Sequence, residues 1–449
     1  MMETEMESSL RKRACIITYG CQMNRYDSDV MAGVLRGEGY VLEGSPEGAD
    51  LVLVNTCSVR AHAESRALNT IRYLAGLKTK RPNMKIGVCG CMAERCGSSL
   101  FREGVDVVLG PSNLKKLPSI LRLLDGGKTR IIETGGVRVP HEEGEPFPHS
   151  RISAFLPISF GCNSFCSYCI VPFVRGRQRS RRVDEVVEEA RRLILNGTRE
   201  LTILGQQVNA YGEDLNGEGD LSTLLRALDR IDGLFWMRFI TAHPAKMKPE
   251  LIDAMSSLGK VCEHIHLPLQ SGSNRILKRM RRGYTLEEYM EIVEDLRRSI
   301  PHLAITTDII VGFPGEDEED FEETLRAIRL IGFDGAFTFR YSPRPGTKAA
   351  SFVDDVHEEV KKERLSRLID LQGMITEEKN RELVGNIEEV LVLERNPKGE
   401  GLLGRTRTNK VVLLDGEGEM VGAFLKVKIT KGGRWHLNGR RIKECNSGS

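Results

Sequence analysis

Long apolar runs are missing from this sequence. No window approaches the ~18 uninterrupted apolar residues of a membrane-spanning helix, which argues against a membrane protein. The leading MMETEMESSLRKR has no apolar centre for a secretory signal and too many acids for an organellar transit peptide, so a cytoplasmic location is expected. Internal repeats and low-complexity tracts are absent as well, which sets repeat arrays aside. An overall charge imbalance is also lacking: 65 basic and 63 acidic residues leave +2, so only local clustering bears on partners. Cysteine, by contrast, is plentiful. Eleven cysteines, an odd number without an export signal, argue against a disulfide scaffold and for metal ligands or thiol chemistry.

At 449 residues the chain exceeds one typical core, and roughly 150 residues per domain gives about three domains. Residues 12–134 alternate strand patterns (ACIITYG, DLVLVNT, KIGVCG, VDVVLG) with helical ones (SDVMAGVLRGEGY, AESRALNTIRYLAGLK and a stretch near NLKKLPSILRLL), which predicts an open parallel α/β domain. Residues 135–150, GGVRVPHEEGEPFPHS, carry three prolines and no apolar period, the marks of a linker. A second alternating series fills residues 151–378, with strand candidates ISAFLPISF, ELTILGQQV, FWMRFITA, HIHLPLQ, AITTDIIVGF and GAFTFRYS. Between them, Val186, Val187, Ala190, Leu193 and Ile194 mark one face of a helix. Six strand-helix units fit a partial TIM-like (β/α)6 barrel, whose working residues belong at the C-terminal ends of the strands. Residues 379–444 turn to short strands with close turns, the texture of a small all-β barrel. The fold class is therefore α/β with a C-terminal β-barrel.

The loop after the first strand of the central series reads SFGCNSFCSYCIVPFVRGRQRSR. Cys162, Cys166 and Cys169 form C-x3-C-x2-C, a spacing that lets three thiolates of one loop converge on one centre. Structural zinc normally takes four ligands, and no fourth cysteine or histidine follows nearby. A four-iron cluster with three thiolates leaves one iron open to a small molecule. Taken alone, the spacing fits structural zinc and catalytic iron equally. The barrel pattern downstream favours iron.

In the first domain Cys21 and Cys57 end the first two strands and Cys91 follows the third. The carboxyl ends of neighbouring strands in an open parallel sheet border one crevice, so these thiols are candidates for a second cluster. A single such cysteine is more often simply buried, but three at equivalent positions make that a poor account. Cys89, two residues before Cys91 and still within the strand, and Cys96, placed at a helix start, are set apart from these candidates.

These motifs carry a resemblance. TYGCQMNRYDS, NTCSVRAHAE and GCMAER are similar to the three cysteine motifs of the radical S-adenosylmethionine (SAM) methylthiotransferase family, and the Cys162–Cys169 loop resembles that family's radical SAM loop. LGQQVNAYG, HLPLQSGS, TTDIIVGFPGE and FRYSPRPGT match further, the last domain resembles a TRAM domain, and the likeness covers nearly the whole chain. The resemblance implies two [4Fe-4S] clusters and SAM as cofactors. Cys162, Cys166 and Cys169 would hold the cluster that cleaves SAM to a 5'-deoxyadenosyl radical; Cys21, Cys57 and Cys91 would hold the sulfur-donating cluster and count as catalytic. Within the family, LGQQVNAYG looks most like the branch that methylthiolates carbon 2 of N6-isopentenyladenosine beside the anticodon of tRNA. Sister branches act on threonylcarbamoyl adenosine or on a ribosomal-protein aspartate. The partners so implied are a tRNA anticodon stem-loop, an electron donor such as flavodoxin or ferredoxin, and a sulfur or iron-sulfur cluster delivery system, with the protein a monomer.

Strand-end loops of the barrel are the expected source of SAM contacts, and the candidates are Gly205, Gln206, Gln270, Ser271, Asp308 and Gly312. For nucleic acid the candidates are Arg175, Arg177 and Arg179 after the loop and Arg405, Arg407 and Lys410 in GRTRTNK; Lys278, Arg279, Arg281 and Arg282 form a further basic group. Any one patch alone reads as a solvated face, whereas three favour RNA. Trp435 and Phe424 are possible stacking residues, with core packing the commoner role for each. The rival from another class is a non-catalytic metal-containing RNA-binding protein.

Overall fold

The computed structural model describes residues 12–58, 61–138, 145–397 and 399–442. Residues 1–11 of the leader and residues 139–144 of the expected linker lie outside the described residues. The chain divides into two compact units: one comprises residues 1–149, Phe160–Ser164 and Cys169–Arg179, the other Ser150–Ser159, Phe165–Tyr168 and Ser180–Ser449.

The first unit is built on a six-stranded, all-parallel sheet. Its strands are β1 (Arg13–Thr18), β2 (Val41–Glu43), β3 (Leu51–Thr56), β4 (Lys85–Gly90), β5 (Val107–Leu109) and β6 (Ile131–Glu133), in the order β2-β1-β3-β4-β5-β6. All six residues of β3 are buried, as expected of a central strand covered on both faces. The connecting helices are α1 (Gln22–Gly37), α2 (Ala61–Lys80), α3 (Cys91–Cys96) and α4 (Leu117–Asp125). Helix α1 starts at Gln22, well before the Ser28 start that the apolar period implies, because its first turns bury polar residues: Asn24, Asp27, Ser28 and Asp29 are all under 10% exposed. Cys96 ends a short helix that begins at Cys91, rather than starting one.

The second unit holds six parallel strands: β7 (Ser153–Pro157), β8 (Glu200–Leu204), β9 (Trp236–Phe239), β10 (His264–His266), β11 (Ala304–Val311) and β12 (Gly335–Arg340). They pair in chain order as two three-stranded sheets, with a parallel bridge from Met237 to Val261 between them. Strand β11 shows the two-residue alternation expected here. Ile305, Ile309 and Val311 enter the main core while Thr306, Asp308 and Ile310 lie on the other, partly open face. Two helices carry capping boxes, Thr285 with Glu288 and Asp317 with Asp320. The long helix Glu358–Glu382 leads into a closed five-stranded barrel, β13 (Ile387–Arg395), β14 (Leu402–Thr406), β15 (Val411–Leu414), β16 (Phe424–Gly432) and β17 (Leu437–Arg441), in the order β13-β14-β15-β17-β16. Val390, Val392, Val412, Val427, Ile429 and Leu437 fill it.

Candidate cluster and cofactor sites

Cys57 and Cys91 stand directly after β3 and β4, and Cys21 follows β1 after Tyr19 and Gly20; the three strands are adjacent in the first unit's sheet, so parallel pairing brings the cysteines to one edge. Cys57 and Cys91 are buried and Cys21 is partly exposed; no disulfide joins any described cysteine. Gly20 has φ +129°, and a Cβ there would lie 2.7 Å from the Cβ of Cys57, so only glycine lets this backbone approach. Gly90, at φ +86°, is pressed against Asn55 and Thr56 in the same way.

A buried polar network fixes these strand ends. Asn24 Nδ2 donates to Asn55 Oδ1 (3.1 Å) and to the Thr56 carbonyl (2.9 Å), and Asn55 Nδ2 returns bonds to the Asn24 carbonyl (2.7 Å) and Ser28 Oγ (2.9 Å). Arg175, read from the sequence as an RNA contact, is instead buried in this unit. Its Nε donates to Cys91 Sγ (3.3 Å) and its Nη2 to Asp27 Oδ2 (2.6 Å). That assignment is corrected: a guanidinium paired with a buried carboxylate and a thiol has no face left for phosphate. Arg138 holds the other oxygen of Asp27 at 2.5 Å. Burial works against the Asp27 charge, but Arg138 and then Arg175 hold its carboxyl below the usual range. Burial pushes the Cys91 thiol up, and Arg175 pulls it back down. Cys89 is fully enclosed with its thiol pushed up to about 12, and Cys262, in a separate apolar cluster, to about 11; burial is the main cause for both. Those two suit packing rather than ligation.

The Cys162–Cys169 loop is equally constrained. Gly161 has φ +73°, and a Cβ on it would meet the Arg177 carbonyl oxygen at 2.2 Å. Ser167, between Cys166 and Cys169, donates from its backbone N–H to the Met280 carbonyl (3.0 Å) and from Oγ to the Arg279 carbonyl (3.0 Å), tying the loop to the end of helix Asn274–Met280. Arg282 is 5% exposed and donates to Cys166 Sγ at 3.3 Å. Its place beside a ligand candidate was not legible in a sequence where it read as one of four surface charges.

Of the SAM candidates, Gln270 is the most telling. It is buried in left-handed backbone (φ +75°), a costly conformation for a residue with a side chain, and its Oε1 has no hydrogen-bond partner. Gly205 is buried after β8, with no room for a Cβ beside Ser159 Oγ (2.8 Å), and Gln206 next to it is half-buried. Asp308 lies on the open face of β11, 3.4 Å from His266 Nε2, in a row where Thr306 also meets His264 (3.1 Å) and His266 (3.0 Å). Two candidates are corrected. Ser271 is 0% exposed, and its hydroxyl accepts the Ser273 N–H and meets Thr324 Oγ1 at the entry to the next helix. Gly312 gives its N–H to Glu316 (2.7 Å), and the space a side chain would take is filled by Lys361.

The basic residues of GRTRTNK also face inward. Arg405 pairs with Glu200 (2.5 Å), Arg407 with Glu263 (2.7 Å) and Lys410 with Asp334 (3.0 Å), so these three lock the C-terminal barrel to the (β/α)6 barrel instead of presenting charge to RNA. Phe424 packs on Trp236 (4.9 Å between ring centroids) in the same interface, whereas Trp435 is 77% exposed, contrary to the core role expected for it. Arg177 and Arg179 are exposed. Exposed lysines line β16 at Lys426, Lys428 and Lys431, with Arg440 exposed on β17; nothing in the sequence separated them from the inward-facing set.

The donor sets fit the expected cofactors. Three thiols at one sheet edge and three in one glycine-shaped loop each offer thiolate ligands, and an orphaned buried acceptor offers a polar partner. Among the described residues no three Cys, His, Asp or Glu side chains close around a single ion, so the fit rests on donor chemistry and backbone placement. No helix among the described residues is long and apolar enough to cross a membrane.

Comparison with known proteins yields three family models: the radical SAM superfamily over residues 156–328, uncharacterized protein family UPF0004 over residues 13–110 and the TRAM domain over residues 381–442. A tRNA-2-methylthio-N(6)-dimethylallyladenosine synthase from Carboxydothermus hydrogenoformans is 46% identical over 430 residues, covering 94% of this chain and 98% of that protein. One of the same name from Caldicellulosiruptor saccharolyticus is 48% identical over 432 residues, covering 95% and 92%. In fold, the chain is similar to the radical S-adenosylmethionine methyltransferase TsrM from Kitasatospora setae, with TM-score 0.56 and 16% identity over 76% of this chain and 77% of that one.

Proposed function

Because the chain belongs to the radical SAM methylthiotransferase family, in the branch of the tRNA-2-methylthio-N(6)-dimethylallyladenosine synthases, we propose that it methylthiolates carbon 2 of N6-isopentenyladenosine in tRNA. The observation that carries this is the near full-length identity to enzymes of that name, joined to two separate cysteine triads in constrained backbone. Carbon 2 of an adenine is not acidic and bears no leaving group, so acid-base chemistry alone cannot place sulfur there. Two [4Fe-4S] clusters and SAM supply the radical, the sulfur and the methyl group.

The chain's own residues divide the remaining work. Cys162, Cys166 and Cys169 hold the cluster that cleaves SAM; Cys21, Cys57 and Cys91 hold the one that donates sulfur. Gln270 is the first residue assigned to SAM, through its unpartnered Oε1, with Gly205, Gln206 and Asp308 as the neighbouring strand-end contacts. For RNA the proposal keeps Arg177 and Arg179 and adds Lys426, Lys428, Lys431, Arg440 and the exposed ring of Trp435. The domain boundaries drawn from the sequence, a cytoplasmic monomer, a flavodoxin or ferredoxin as reductant and a sulfur or cluster delivery partner belong to the same proposal.

The test is product accounting. Reconstituted protein given SAM, dithionite and an isopentenylated anticodon stem-loop should release both 5'-deoxyadenosine and S-adenosylhomocysteine as methylthiolated RNA forms. A protein that binds the RNA with iron in place yet yields neither product is a binding protein and contradicts the proposal.

A further inference from the structure

Six arginines are buried among the described residues: Arg138, Arg175, Arg181, Arg238, Arg282 and Arg364. Five have a carboxylate against them, namely Asp27 for Arg138 and Arg175, Glu189 for Arg181, Glu200 for Arg238 and Glu316 for Arg364. Arg282 has none among the described residues. Its guanidinium donates from Nε to Tyr284 Oη (3.0 Å), from Nη2 to the Pro268 carbonyl (3.0 Å) and from Nη1 to Cys166 Sγ (3.3 Å). A buried cation whose partners are all neutral is strongly disfavoured, and a site that keeps one is completed by an anion. Tyr168, Tyr284 and Cys166 are the titratable groups that face it, and of these only Cys166 belongs to the ligand set, so a cluster held there would bring its negative charge against the guanidinium at Cys166 Sγ.

We infer that Arg282 is the counter-charge and positioning residue of the SAM-cleaving cluster. It orients Cys166 and, by its charge and an N–H···S hydrogen bond, sets the cluster's reduction potential higher than the loop alone would. Hydrogen bonds to ligand sulfurs and local charge are the levers a protein has on such a potential. The inference rests on the proposed function's reading of Cys166 as a cluster ligand. Tyr284 fits the same role at one remove, since its hydroxyl accepts from Arg282 Nε and donates to the backbone carbonyls before Gln270. The carbonyl that accepts from Arg282 Nη2 is also on that segment, so the side chain connects Cys166 to the residues leading into the Gln270 turn.

The experiment uses the full chain with Cys21, Cys57 and Cys91 replaced by Ala, leaving only the loop cluster, and reads iron per chain and the midpoint potential by EPR-monitored titration without SAM. Arg282→Met in this background should move the midpoint to more negative values and speed iron loss to a chelator several-fold. Arg282→Lys, which keeps the charge but not the fork, should stay nearer the parent. Equal midpoints in all three, or equal loss of iron and potential in Met and Lys, overturns the inference in favour of a scaffolding role. If Arg282→Met does not fold, Arg282→Lys and Tyr284→Phe decide: both retain the charge, and a midpoint as low as that of a chain lacking it, read in Arg282→Gln, contradicts the assignment. A parent that binds no iron would sink the cluster reading itself, a separate result from an iron-loaded parent insensitive to residue 282.

Discussion

Replacing Arg405 separates a docking role from an RNA role. Glu200 is fully buried, donated to by Arg238 Nε (2.7 Å), Arg405 Nη2 (2.5 Å) and Ser153 Oγ (2.6 Å). Burial opposes its charge, yet Arg238 and then Arg405 hold its carboxyl at about 2 against an ordinary 4.5. At about 1.36 kcal/mol per pH unit, that difference corresponds to about 3 kcal/mol of stability. The folded-state value is depressed, so the contribution is present above the ordinary carboxyl value and is lost as pH falls from about 4.5 towards about 2. Arg405→Met removes one charged hydrogen-bond donor while Arg238 remains, a cost of about 1.5–3 kcal/mol. Glu200→Gln leaves Arg238, 1% exposed, without its carboxylate and costs about 3–5 kcal/mol. Trp236 packs on Phe424 of the C-terminal barrel, so tryptophan fluorescence during urea unfolding reports on this interface. The predicted Arg405→Met phenotype is a lower unfolding midpoint with an unchanged salt dependence of tRNA binding. Unchanged stability with the log Kd against log salt slope reduced by about one would refute the docking role and restore a phosphate contact.

The cysteine triads should separate in function. Cys57→Ala is expected to abolish methylthiolation while leaving reductive SAM cleavage measurable as 5'-deoxyadenosine, whereas Cys166→Ala removes that cleavage; equal loss in two folded variants would count against two sites. Gly20→Ala forces a Cβ against Cys57 in left-handed backbone, costing about 1–3 kcal/mol. Iron analysis of that variant in a chain lacking the loop cysteines should show the sheet-edge site depleted. Asn24→Ala strips the side-chain donor from Asn55 Oδ1 and from the Thr56 carbonyl and should cost about 1–3 kcal/mol in the same unfolding assay. Replacing Lys426, Lys428 and Lys431 together by Gln should weaken tRNA binding without moving the unfolding midpoint. The salt slope should fall with it, by up to about 0.7–0.9 for each phosphate that these lysines neutralise.

The layer order and the gathering of Cys21, Cys57 and Cys91 at one sheet edge were legible because they rest on local rules: apolar runs between turn residues, and thiols soon after each strand. The two glycines that shape the cysteine-bearing turns, Gly20 and Gly161, adjoin Cys21 and Cys162 and were part of the same motifs. Charge was not legible in the same way. Arg175, Arg282 and Arg405 look alike in the sequence, and only tertiary contacts with Asp27, Cys166 and Glu200 distinguish them from solvent-facing Arg177 and Arg179. Helix α1 was read too short for a related reason: Asn24 and Asp27 are polar residues satisfied inside the protein, so they interrupt the apolar period without interrupting the helix. Gln270 and Ser271 are neighbours at one strand end and read alike in the sequence; only the fold leaves the Gln270 Oε1 unpartnered and commits the Ser271 hydroxyl to a helix entry.

The most direct test of the central claim is nucleoside mass spectrometry of tRNA from a bacterial strain that lacks the modification, with and without this gene. The account predicts that 2-methylthio-N6-isopentenyladenosine appears and N6-isopentenyladenosine falls when the gene is expressed, and that Cys57→Ala and Cys166→Ala each prevent it. An iron-loaded, expressed protein that leaves isopentenyladenosine unchanged would contradict it.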